Sequence, residues 1–390
     1  VLSRRRLLSA LPLLAAPVDL ACQWRREPAS ATASSPVPVL RGADLSSTLQ
    51  EEAAGQTYQD RGKRAPVERL LAARGANVVR LRLWVDPAPG GNDLSSAVQL
   101  ARRARRAGMR VLLDLHYSDS WADNAHQITP AAWADLDVRS LAATVRAYTR
   151  DTVRAFAAQG AALDMVQIGN EVTNGMLWPV GRVRDDQGEH WEGFIELLRA
   201  GLQGAEEGAT AALRTVVHVD TSVTGEADGG LRTFYDHIAA AGVRFDVMAL
   251  SYYPFWHGSL ATLQTRLVDL ATRYHKDVLV VETAYPWKLL AEDDKKQFHL
   301  TTADQLPDAA RFPPTPEGQA AFFEALRGVI ARVPGRHGIG FLAWEPAWLP
   351  GAGWDYGPAN PYSNLTMFDW SGKGLPSLAA FRGSVRAQDG

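Results

Sequence analysis

The sequence predicts an α/β fold, a single (β/α)8 TIM barrel with its active site at the C-terminal ends of the strands. Three observations predict it. Short β-branched runs alternate eight times with helix-like segments from residue 41 onward. No Gly-rich phosphate loop follows the first run, as a nucleotide-binding doubly wound sheet would require. Polar and aromatic residues crowd the C-terminal ends of the runs, where a barrel places its chemistry.

The expected strands are 39–44, 77–85, 110–117, 164–171, 215–221, 245–253, 278–283 and 338–344. The expected helices are 64–75, 94–108, 137–160, 189–209, 228–242, 259–275, 316–333 and 375–384. Gly75, Gly108, Gly160 and Gly242 each follow a helical pattern and fit C-terminal caps. The arginines of 97–107 read as the solvated face of an outer helix. A length of 390 residues suggests two or three domains, but no Pro/Gly/Ser linker interrupts 41–390, so one is expected there.

Composition narrows the function classes. The formal net charge of −2 argues against nucleic acid as a partner. The single cysteine rules out an internal disulfide and a thiolate-rich metal site. The 12 tryptophans suit flat apolar ligand faces such as sugar rings, although large cores also take Trp.

Residues 1–22 have signal-peptide form. Arg4-Arg5-Arg6 opens into an apolar stretch from Leu7 to Leu14, too short to span a bilayer, and the arginines resemble a twin-arginine export signal. Cys22 follows Leu20-Ala21 and is either a lipidation site or a stray thiol. Residues 23–40, rich in Pro, Ala, Ser and Thr, read as a flexible tether. The protein is expected to be exported, and either extracellular or lipid-anchored at the cell surface.

The strand ends carry the candidate chemistry. Asp44 closes strand one. Arg80, Arg82 and Trp84 share one face of strand two by the period of two. His116 and Trp121 follow strand three, and Asn170-Glu171 ends strand four. His218 and Asp220 mark strand five, Tyr253 strand six, Glu282 strand seven, and Trp344-Glu345 strand eight. Strands four and seven lie across the mouth, so Glu171 and Glu282 can flank a sugar. Roughly 5–5.5 Å apart, such a pair cleaves a glycosidic bond with retention. Arg80 would keep Glu282 ionised. Glu345 is a rival carboxylate, or a structural one.

Specific strings sharpen this reading. They are Arg41-Gly42-Ala43-Asp44, Arg80-Leu81-Arg82-Leu83-Trp84, His116-Tyr117-Ser118-Asp119-Ser120-Trp121-Ala122-Asp123, Gly169-Asn170-Glu171, Tyr253-Pro254-Phe255-Trp256, Glu282-Thr283-Ala284-Tyr285 and Trp344-Glu345-Pro346-Ala347-Trp348. With these, through nearly all of 41–382, the chain resembles glycoside hydrolase family 53, the arabinogalactan endo-β-1,4-galactanases. The resemblance implies Glu171 as acid/base and Glu282 as nucleophile. It implies that Arg80, His116, Asn170 and Tyr253 surround the cleaved sugar, with Trp344 as its platform. Trp84, Trp121, Trp178 and Asp220 join the expected substrate contacts, and Asp44 supports them.

No cofactor is expected. Some family members bind calcium after strand seven. Here Glu292, Asp293, Asp294, His299, Asp304 and Asp308 lack the alternating spacing of a calcium loop, so a solvated acidic loop is expected instead. The expected partner is polysaccharide, β-1,4-galactan, and the expected state a monomer. Two alternatives stand beside this reading. One is another retaining barrel hydrolase acting on β-mannan, β-glucan or xylan. The other is a surface lipoprotein that only captures glycans.

Overall fold

The computed structural model describes residues 38–220, 230–289, 300, 302–351 and 360–383. The proposed signal and Cys22 lie outside the described residues, as do Glu292, Asp293, Asp294 and His299. Eight parallel strands close a barrel: β1 (Leu40–Asp44), β2 (Val78–Leu83), β3 (Arg110–Leu115), β4 (Met165–Ile168), β5 (Arg214–Val219), β6 (Val247–Tyr252), β7 (Asp277–Thr283) and β8 (Gly338–Ala343). Each strand pairs with its sequence neighbours, and β8 closes on β1.

Among the described residues a helix of seven residues or more follows each of the first seven strands: α1 (Val67–Ala73), α2 (Leu94–Arg106), α3 (Val138–Ala158), α4 (Trp191–Gly208), α5 (Leu231–Ala240), α6 (Leu260–Tyr274) and α7 (Pro316–Ala331). Asp93 and Asp137 cap α2 and α3 by accepting the backbone N–H of Ser96 and Ser140, each at 2.7 Å. The four expected cap glycines all take positive φ. At Gly108 the motif is complete: its N–H donates to Arg105 and that of Met109 to Ala104. One expectation needs correction. The segment expected as an eighth α-helix is a 3-10 helix, Pro376–Phe381, with a proline in its first turn.

The barrel interior is layered. Leu40, Val78, Leu112, Met165, Val216, Val247, Ala249, Leu279 and Leu342 pack as an apolar plug. Two residues further along five strands, the inward positions become Arg80, Asp114, Gln167, His218 and Ser251. Their hydrogen bonds link β2 to β6 across the barrel. Arg80 contacts Asp114 at 2.8 Å and Gln167 at 3.3 Å. Gln167 donates to Asp114 at 2.5 Å, and His218 lies 3.2 Å from Gln167 and 2.9 Å from Ser251. A polar layer buried this deeply persists only because its members satisfy one another.

β7 departs from simple alternation. Leu250 pairs with Val280, but the next residue, Ser251, pairs with Glu282. The β8 side shows the same slip, from Val280 to Thr283. One extra residue sits in β7, a β-bulge. Val281 therefore packs into the plug, while Glu282, directly after it, also turns inward.

Candidate active site

A cavity of about 720 Å³ opens at the C-terminal ends of the strands. Its walls include Arg80, His116, Trp121, Asn170, Glu171, Asp220, Tyr253, Glu282 and Trp344.

Arg80 organises the floor. Its guanidinium has five N–H donors, and each meets an acceptor. Nε donates to Gln167. Nη1 meets Asp44 at 3.0 Å and Glu282 at 2.8 Å. Nη2 meets Asn170 at 2.7 Å and Asp114 at 2.8 Å. Against the pull of burial, Asp114, Glu282 and Asp44 raise the arginine pKa, so the cation is permanent. Asp44 is fully buried beneath the cavity and also accepts from Ser46.

The two glutamates have unlike settings. Glu282 is buried, bound by Arg80 and by the Tyr253 hydroxyl, which donates at 3.0 Å. Burial raises its pKa and Arg80 opposes the rise, a departure from the expected simple depression. Glu171 is half-buried and accepts from Ser251 at 2.5 Å. Burial, with Asp220 and Glu282 adding repulsion, lifts its pKa well above the ordinary carboxylate range. Among the described residues Glu282 has a cation to hold its charge and Glu171 has none. The pair therefore releases its first proton from Glu282 and keeps the second on Glu171.

Neighbouring groups fix these positions. His116 Nδ1 accepts from Trp84 Nε1 at 3.3 Å and from the Ala122 N–H at 3.1 Å, while Nε2 lies 2.9 Å from Asp114. Both ring nitrogens are thus engaged within the protein, and burial lowers the histidine pKa. Asp220 binds His257 at 2.6 Å and accepts from Asn124. Asn170 Nδ2 donates to the Ala122 carbonyl at 2.8 Å.

The expected tryptophans separate by position. Trp121 and Trp344 line the cavity, and the Arg82 guanidinium sits 4.2 Å over the Trp121 ring. Trp84 and Trp178 do not line it. Trp84 packs edge-on behind Trp121 at 5.4 Å. The Trp178 indole donates to Asn174 and its ring meets Arg182. The rival Glu345 does not line the cavity and accepts from Ser47 at 2.6 Å and Arg82 at 2.9 Å. Tyr362, Asp123, Asn124 and His126 also line the cavity and were not among the expected contacts. They lie on loops, where no strand period marks them. Among the described residues no group of three or more His, Cys, Asp or Glu side chains is arranged to hold a metal ion.

The family model for "Glycosyl hydrolase family 53" matches residues 40–381. The chain belongs to glycosyl hydrolase family 53. It is a glycosidase. A curated relative from Aspergillus terreus, "Probable arabinogalactan endo-beta-1,4-galactanase A", is 41% identical over 80% of this chain and 87% of its own length. The solved "Ignisphaera aggregans GH53 catalytic domain" superposes with a TM-score of 0.81 at 35% identity, covering 89% of this chain and 96% of that one. A structure titled for "two fungal beta-1,4-galactanases" gives 0.76 at 34% identity, covering 88% and 99%.

Proposed function

We propose that this glycosidase is an endo-acting, retaining β-1,4-galactanase that works by double displacement without a cofactor. Glu171 protonates the leaving oxygen while Glu282 attacks the anomeric carbon. Glu171 then deprotonates the water that releases the glycosyl-enzyme intermediate. One observation carries the reading: two carboxylates face one cavity, Glu282 paired with the Arg80 cation and Glu171 paired with a serine beside Asp220. Trp121 and Trp344 supply flat faces for a sugar ring. The Aspergillus terreus relative's name supports galactan as the substrate. The arginine-led apolar start supports export, with Cys22 as a candidate lipid attachment point.

The test uses a panel of purified galactan, mannan, xylan and β-glucan. Hydrolysis of galactan, with the β-anomer seen first by NMR, supports the reading. Inversion overturns the mechanism, and activity confined to another glycan overturns the substrate. Glu282→Gln is expected to abolish turnover and retain galactan binding by calorimetry. Substantial hydrolysis by that variant would falsify the nucleophile assignment.

A further inference from the structure

His218 and Ser251 are fully buried and lie outside the cavity wall, yet both act on Glu171. Ser251 Oγ donates to Glu171 Oε1 at 2.5 Å, and His218 Nε2 lies 2.9 Å from Ser251 Oγ. A serine hydroxyl has one proton. Since that proton goes to the carboxyl, Oγ accepts from His218, and the imidazole proton sits on Nε2. Burial and Arg80 hold the His218 pKa well below its usual value, so the ring is neutral and Nδ1 is bare. Nδ1 then accepts the backbone N–H of Glu171 at 3.3 Å and Gln167 Nε2 at 3.2 Å. One imidazole thus grips Glu171 at both ends, the backbone directly and the carboxyl through Ser251. The opposite tautomer would aim its proton at Asn170 Oδ1, 2.9 Å away, and break the chain to the carboxyl.

Glu171 needs such a grip. Its backbone is left-handed, at φ 47° and ψ 50°, a region that a residue with a Cβ rarely occupies. Strained residues of this kind persist only where their surroundings over-determine them.

We propose that His218 and Ser251 are positioning residues for Glu171, fixing Oε1 as an acceptor so that Oε2 alone carries the proton into the cleft. The proposal rests on the reading of Glu171 as acid/base. Among the described residues, the charged groups facing Glu171 are Asp220 after β5, Glu282 on β7 and Asp123 after β3. Those facing His218 are Arg80 on β2, Asp114 and His116 at the end of β3, and Asp220.

The experiment is the pH profile of kcat/KM on galactan for Ser251→Ala and Ser251→Thr. Loss of the serine donor destabilises ionised Glu171. The basic limb therefore moves up by about one pH unit in the alanine variant and returns in the threonine variant. A uniform loss of activity with the limb unmoved overturns the proposal. A 15N NMR spectrum of wild-type protein is expected to show His218 protonated on Nε2, and an Nδ1–H tautomer overturns it too. Glu171→Gln separates the two readings. If that variant still hydrolyses galactan, the acid/base reading fails. If it is inactive and Ser251→Ala leaves the limb in place, the positioning role alone fails.

Discussion

At the scale of single residues, environment decides which of two identical side chains keeps its proton. Both carboxyl groups are raised above the ordinary glutamate value of 4.5, Glu282 against the pull of Arg80 and Glu171 with Asp220 beside it. The activity of a pair in which Glu282 must be ionised and Glu171 protonated is bell-shaped in pH. Its acidic limb is expected above 4.5. Asp220→Asn removes a negative charge from beside Glu171, so the basic limb should move to lower pH. A limb that stays put in that variant would show that Asp220 does not set the acid. Residue identities at strand ends were legible in the sequence because a barrel directs chemistry there. The resemblance implies Trp84 as a sugar contact, and the period of two puts it on the face of Arg80 and Arg82. The strand ends at Leu83, alternation stops with it, and Trp121 fills the face between Trp84 and the cavity. His218 and Ser251 carried a usable signal, since each lies two residues before a cavity residue, Asp220 and Tyr253.

Elements set the aim of those residues. Gly169 follows β4 at φ 78°, and a Cβ there would meet Val172 Cγ1 within 3 Å, at 2.4 Å. Gly169→Ala must therefore shift the turn that carries Asn170 and Glu171. The expected result is a fall in kcat of about tenfold or more, as a misplacement of about 1 Å near a catalytic group causes, with a smaller change in KM. Unchanged kcat would show that the turn tolerates the methyl group. The strand and helix sequence of the barrel was readable because its periods are strong and its caps conventional. The 3-10 segment after β8 was not, since Pro376-Ser377-Leu378-Ala379-Ala380-Phe381 has the composition of either helix type. The β7 bulge was equally hidden, because Leu279, Val280 and Val281 are all apolar and show no alternation to interrupt.

For the whole molecule, the polar layer above the plug extends behind the cleft to Glu51 and Glu345. Glu51 is fully buried, accepting from Tyr58 at 3.3 Å and from the Leu349 N–H at 3.1 Å. Burial raises its pKa to about 8 from an ordinary 4.5. The folded protein therefore holds this proton through a window in which the unfolded chain has released it. Stability from this group falls as pH rises from about 4.5 to about 8, and the cost is fully present above that. Glu51→Gln should raise Tm by about 2 °C or more at alkaline pH and leave it nearly unchanged below the window. Thermal melts at the two extremes check this, and equal shifts at both would exclude the buried charge as the cause.

The added residue in β7 sets regular pairing and a filled core against each other. An evenly paired β7 would recover a continuous hydrogen-bond ladder, and deleting Val281 is the shortest route to one. The same deletion would leave Glu282 opposite Ser251 but withdraw the apolar side chain that precedes it in the plug. A programme that thermostabilises this enzyme by idealising its backbone would meet this irregularity early and correct it. The product would be a regular strand over a plug short of one apolar side chain, its gain in pairing set against a loss in packing.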